Sequence, residues 1–112
     1  MSRVERINEL LKRSIAEILT RKIADSRIGF VSILEVRVTK DLSQAWVYYS
    51  QIGSTQDKLK TKRGLRSATG YIRGELGKDL RLQNVPNLTF EYDSTVERGS
   101  SLIDKINSLS DE

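Results

Sequence analysis

Arg66, Gly70, Arg73, Gly77 and Arg81 recur at steps of four, three, four and four residues. On a helix that spacing draws them into one stripe. A guanidinium donates two parallel hydrogen bonds in one plane, which suits a phosphate group, and glycine adds no bulk between the cations. A basic face of low relief is what a phosphate backbone can lie against. The ordinary alternative is a solvated helix face, where most charge runs belong. Two details favour the first reading. Like charges with few compensating acids gain nothing from pairing along a helix. The four glycines from Gly64 to Gly77 each cost about 0.8–1 kcal/mol relative to alanine in a helix interior.

The basicity is local. From Lys58 to Arg81 there are eight basic residues against Glu75 and Asp79, a net +6, whereas the whole chain carries +4. Everything outside that segment is therefore net acidic, and a local cationic patch points to a polyanionic partner. The 112 residues suffice for one domain with a core. The absence of cysteine excludes disulfides and thiolate metal sites, and the absence of histidine removes the commonest general base and transition-metal ligand. No apolar run is long enough to span a membrane and no signal-peptide pattern opens the chain, so a cytoplasmic protein that binds no cofactor is expected.

The elements that must position the basic stripe follow from periodicity. Ser2 and Glu5 have capping-box spacing, and Val4, Ile7, Leu11, Ile15 and Ile18 then repeat at three- and four-residue steps, which predicts a first helix ending before Gly29. Leu34, Val36 and Val38 alternate with Glu35 and Arg37 as a half-buried strand. Val31 and Ile33 fall on the opposite parity, so the start of that strand is apolar on both faces or holds a bulge. Thr39–Ser43 is a polar turn and Gln44–Ser50 a second strand, which together predict an antiparallel hairpin. Leu65, Ala68, Ile72, Leu76 and Leu80 give the basic segment an apolar stripe offset by about 100° from the arginines. Leu88, Phe90 and Tyr92 alternate as a third strand after Pro86, and Leu102, Ile103, Ile106 and Leu109 predict a short terminal helix. The expected architecture is α+β, with helices on one face of a three-stranded sheet; the domain spans residues 1–99 and a short helix or tail spans 100–112.

The glycines raise the question of a bend. Gly74-Glu75-Leu76-Gly77 matches the GXXG string by which K-homology (KH) domains clamp a nucleic-acid backbone. Its variable positions are unsuitable, because Glu75 would repel phosphate and Leu76 belongs to the apolar stripe. Ala68-Thr69-Gly70, with basic residues on both sides, is the preferred place for an interhelical kink.

The order of elements is that of a type II KH domain, and the strings resemble the bacterial ribosome-binding factor A family. The resemblance runs through Arg3-x-x-Arg6, Val36-x-Val38, Asp41-Leu42, Ala45-Trp46-Val47-Tyr48 and Ala68-Thr69-Gly70-Tyr71-Ile72-Arg73. It continues in Glu75-Leu76-Gly77-Lys78, Leu80-Arg81-Leu82, Pro86-x-Leu88-x-Phe90 and Asp93-Ser94. It implies a KH-like fold in which an Ala-x-Gly kink replaces the GXXG loop. It also implies a non-catalytic, cytoplasmic assembly factor, expected as a monomer with no membrane partner, that binds the free small (30S) ribosomal subunit. Such factors contact 16S rRNA near its 5′-terminal helix, support late maturation and 5′-end processing, matter most in the cold, and share the particle with assembly GTPases. Carried onto this sequence, the rRNA-binding residues would be Arg3, Arg6, Lys62, Arg63, Arg66, Arg73, Lys78 and Arg81.

Two rival functions come from other classes. Glu91, Asp93 and Glu97 could hold Mg²⁺ in a nuclease site, although no histidine stands beside them. A protein-interaction module could also share the KH shape without binding RNA. Trp46 and Tyr48, on one face of the second strand, could stack bases or simply cover the sheet.

Overall fold

A computed structural model describes residues 1–94. The chain runs α1 (Arg3–Arg21), β1 (Val31–Val38), β2 (Gln44–Gln51), α2 (Thr55–Leu80) and β3 (Asn87–Tyr92). The expected terminal helix, and the tail 100–112 with it, lie outside the described residues.

Helix α1 opens on Ser2, whose Oγ accepts from the Glu5 N–H at 3.1 Å, and buries Leu11, Ile15 and Ile18 completely. The hairpin is antiparallel, and its register slips between Ile33 and Glu35. That slip is the bulge anticipated from the parity change. Leu34 is the extra residue, so Ile33 before it and Val36 and Val38 after it all pack with the same core. In the turn, Asp41 Oδ1 accepts from the Thr39 and Ser43 hydroxyls and the Ser43 N–H, and these bonds hold its carboxyl below the ordinary value. They support Leu42 in a left-handed conformation, φ 62°.

The third strand pairs with β2 in parallel, giving the order β1-β2-β3 with β2 in the centre. A parallel pair requires a crossover, and α2 supplies it. Both helices pack on one face, where Val36, Ala45, Val47 and Leu88 meet Leu11, Ile15, Ile18, Ile72 and Leu76. The expected α+β class and KH-like order therefore hold.

The expected division of the basic segment into two helices does not. Helix α2 is unbroken over 26 residues and passes through Ala68-Thr69-Gly70. The apolar stripe supplies the physical reason: Leu65, Ile72 and Leu76 are all fully buried, Ile72 and Leu76 in the core shared with the sheet and α1, and a gap in the helix would interrupt that stripe. Thr69 donates its hydroxyl to the Leu65 carbonyl at 2.8 Å, an i−4 back-bond of the kind that bends helices without interrupting them. The helix also begins before the basic segment, at a full capping box in which Ser54 Oγ accepts from the Asp57 N–H and the Asp57 carboxylate accepts from the Ser54 N–H.

Candidate nucleic-acid interface

The eight candidate cations divide into three groups. Arg3 and Arg6 are exposed on the first turn of α1. The C-terminal half of α1 meets the C-terminal half of α2, through Lys22 Nζ to Glu75 Oε2 at 2.8 Å and Ser14 Oγ to Asp79 Oδ2 at 3.5 Å. Arg3 and Arg6 thus stand apart from the start of the basic segment.

Lys62, Arg63 and Arg66 form the second group, in the N-terminal half of α2. All three are exposed, and among the described residues none has an ion-pair partner. Lys62 and Arg66, with Thr69, form one wall of a groove of about 280 Å³ whose other wall is Leu88, Thr89 and Phe90 of β3. Strand β3 is an edge strand, so this wall also carries backbone groups with no neighbouring strand. Cations on one wall and apolar and hydroxyl groups on the other can hold a phosphate backbone while sugars and bases contact the second wall. Nothing in the sequence periodicity of β3 announces Leu88, Thr89 and Phe90 as site residues, because only the parallel crossover brings them beside α2.

Arg73, Lys78 and Arg81 make up the third group and differ from the second. Arg73 donates from Nε to the Pro86 carbonyl and from Nη2 to the Val85 carbonyl, each at 2.9 Å. Its guanidinium thereby fastens the α2–β3 loop to the helix, using the two-donor fork that suggested phosphate. Lys78 lies 3.6 Å from Glu75. Arg81 is not on the stripe at all, because it caps α2 in a left-handed conformation with φ 52°. At the N-terminal end of α2, Lys58 Nζ sits 5.0 Å from the centre of the Tyr92 ring, a cation–π contact.

Glu75 has a structural use as well. Hydrogen bonding to Lys22 holds its carboxyl below the ordinary value, and the same bond raises the Lys22 ammonium. With Glu75 in an ion pair, Leu76 fully buried and both flanking glycines helical, Gly74–Gly77 is not a GXXG loop.

The helix glycines serve two purposes. A Cβ on Gly64 would meet Ile28 Cγ1 at 2.6 Å, so the loop after α1 can approach only a bare backbone there. A Cβ on Gly70 or Gly74 would meet nothing within 4 Å. These two open glycines, with Arg73, Gln83, Asn84 and Val85, line a second depression of about 360 Å³. The Gln83 and Asn84 amides, not foreseen from the sequence, are exposed at its rim.

Of the remaining candidates, Trp46, Tyr48, Glu91 and Asp93 fall on the face of the sheet turned away from the helices. Tyr48 is only 2 % exposed, and burial, followed by the charges of Glu91 and Glu35, raises its phenol. Its ring is not a platform for bases, and β2 is a central strand, not an edge. Trp46 is half-buried in register with Arg37 and Thr89. Of the acidic trio, Glu91 is exposed, Asp93 is 2 % exposed, and Glu97 lies outside the described residues.

Comparison with known proteins agrees with this geometry. The family model described as ribosome-binding factor A matches residues 3–106. A ribosome-binding factor A from Dictyoglomus thermophilum is 45 % identical over 108 residues, covering 96 % of this chain and 90 % of its own. The crystal structure of ribosome-binding factor A from Thermus thermophilus superposes with a TM-score of 0.71 at 25 % identity, covering 80 % of this chain and 93 % of that one. Coordinates for the Thermus thermophilus factor fitted into a cryo-EM map of its complex with the 30S subunit superpose with a TM-score of 0.65 at 25 % identity, covering 78 % and 91 %. With the family match extending across the helices, the sheet and the groove between α2 and β3, the chain belongs to the ribosome-binding factor A family.

Proposed function

We propose that this protein is a non-catalytic assembly factor that binds the small ribosomal subunit, with rRNA lying in the groove between α2 and β3. The observation that carries this reading is the placement of Lys62 and Arg66, exposed and without ion pairs among the described residues, opposite Leu88, Thr89 and Phe90. Arg63 adds charge beside them, and Arg3 and Arg6 provide a separate contact from α1. The Thermus thermophilus factor in its 30S complex supports the choice of particle. The finer role is late maturation of the subunit, with binding near the 5′-terminal helix of 16S rRNA and support of 5′-end processing, most needed in the cold. The factor works in the cytoplasm, and assembly GTPases act on the same particle.

The mechanism is electrostatic and steric. Each cation that replaces a counterion on a phosphate contributes favourable release entropy, and the bound protein blocks competing helix pairings on the same strand. Binding to small subunits in a sedimentation assay should therefore weaken steeply with salt, with log K falling by about 0.7 per log unit of salt for each single-strand phosphate contact. Affinity that is indifferent to salt would remove the RNA groove as the binding surface. Incubation with precursor rRNA and Mg²⁺ separates this reading from a nuclease, since it predicts no cleavage by the purified protein.

A further inference from the structure

The cations that the groove does not use form a pattern of their own on α1. Arg3, Arg6 and Arg13 are spaced by three and seven residues, so they lie along one side of the helix, and all three are exposed. Among the described residues none of them has an ion pair, and Arg13 makes none with Glu9, four residues before it. Arg3 and Arg6 also stand in the first turn, at the positive end of the helix dipole, with only Glu5 to offset them. A cation there opposes the helix and a negative charge is favoured. These arginines gain nothing from their own chain, and their guanidinium forks suit phosphate groups.

The α1 cations are far from the groove. The two helices run antiparallel: Ser14 meets Asp79, Lys22 meets Glu75, and Ile28 lies against Gly64. At about 1.5 Å per residue, Ser14 back to Arg6 is about 12 Å of helix and Asp79 back to Arg66 is about 20 Å. The two stretches point in opposite directions, so roughly 30 Å separates Arg6 from Arg66. Between them lies the α1–α2 contact, where Lys22 and Lys78 meet Glu75 and Asp79 and the charges cancel. One helical strand, at about 3.4 Å per nucleotide, would need about nine nucleotides to cross that neutral ground from one group to the other.

We infer that Arg3, Arg6 and Arg13 form a second RNA site, and that one protein molecule bridges two rRNA segments, one on α1 and one in the groove between α2 and β3. The bridge rests on the RNA reading of the groove and adds an activity to it. Each segment held on the protein raises the effective concentration of the other, so strands distant in sequence are drawn together. Both ends are electrostatic, so added salt releases the bridge.

Two unrelated ten-nucleotide RNAs, one carrying a donor dye and the other an acceptor, test the bridge on the full chain at low salt. Energy transfer should peak near one protein for two RNAs and fall again in excess protein, which gives each RNA its own partner. Titration should count two RNAs per native protein. It should count one for Arg3→Gln/Arg6→Gln/Arg13→Gln and one for Lys62→Gln/Arg66→Gln, with energy transfer abolished in both. The α1 variant should melt no lower than the native chain, because it removes no ion pair; the native stoichiometry needs no variant and decides the matter even if one misfolds. One RNA per native protein, with no energy transfer, would overturn the bridge and leave the groove standing. Failure of both RNAs to bind would remove the groove reading together with the bridge. Transfer that persists in excess protein, or survives in both variants, would overturn the bridge by showing unspecific condensation.

Discussion

The two halves of α2 carry unequal numbers of cations, five before Ser67 against Arg73 and Lys78 after it, and use them differently. In the N-terminal half, Lys62, Arg63 and Arg66 are exposed beside a groove and have no ion pairs among the described residues. In the C-terminal half, Arg73 fastens the Val85–Pro86 backbone, Lys78 approaches Glu75, and Glu75 and Asp79 bind Lys22 of α1. A basic stripe read from spacing alone merges these two uses. The difference lies in what the cations of each half face: α1 and the α2–β3 loop crowd those of the C-terminal half, while Lys62 and Arg66 face the edge strand and the loop after α1 meets their half at Thr61 and Gly64. Lys62, Arg63 and Arg66 stay exposed, whereas Arg73 is committed to holding the α2–β3 loop.

The largest effect that could break this contrast is reversal of the groove charges. Lys62→Glu with Arg66→Glu should lower affinity for the small subunit by on the order of a hundredfold, since hydrogen bonds to charged groups contribute about 1.5–3 kcal/mol each. It should also flatten the salt dependence by about 0.7 per lost contact, with the melting temperature little changed; unchanged binding in the sedimentation assay would place the RNA elsewhere. Arg73→Ala should show the complementary behaviour. Losing two charge-assisted hydrogen bonds to the loop should cost about 2 kcal/mol of stability in a denaturant melt, while the salt slope of binding stays that of the native chain.

Smaller effects sharpen the comparison at the glycines. Gly70→Ala and Gly74→Ala meet no neighbouring atom, so each should stabilise the isolated protein by about 0.8–1 kcal/mol. If RNA approaches the bare helix backbone there, the same variants should bind the subunit less tightly, and a gain in stability without a loss of binding would confine the interface to the Lys62–Arg66 groove. The smallest effect concerns acid. Side-chain and then backbone hydrogen bonding with Arg27 lowers the Asp25 carboxyl to about 2 from its ordinary 3.8. The folded state keeps this carboxylate charged where the unfolded chain protonates, so its contribution is complete above about pH 4 and is lost as the pH falls towards 2. Glu75 and Asp57 shift in the same direction and add to the same window. Melting temperatures recorded down this range should fall less steeply in Asp25→Asn.

Much of the fold was legible because burial imposes periodicity. Helix α1, the hairpin and β3 follow from steps of three, four and two, and the parity change at Leu34 foretold a bulge. The split of this segment into two helices was expected because glycine content was weighed above phase. A stripe from Leu65 to Leu80 that never jumps in register already describes one continuous helix, and the packing of Ile72 and Leu76 outweighs the local cost of Gly70. Around the groove, residue types gave the chemistry of Lys62, Arg63 and Arg66, but spacing does not tell that Arg73 bonds the Val85 and Pro86 carbonyls or that Arg81 is left-handed. The groove's second wall was invisible for a related reason: Leu88 and Phe90 are 22 and 24 residues beyond Arg66, and only the parallel pairing of β3 with β2 brings them alongside.

By itself, then, the sequence determined a basic, helix-centred α+β domain, since charge density and apolar period are properties of the chain read locally. Tertiary structure alone decided which cations stay exposed and unpaired among the described residues. That depends on which side chains find carbonyls or carboxylates within about 3 Å after α1, the α2–β3 loop and the sheet have come together.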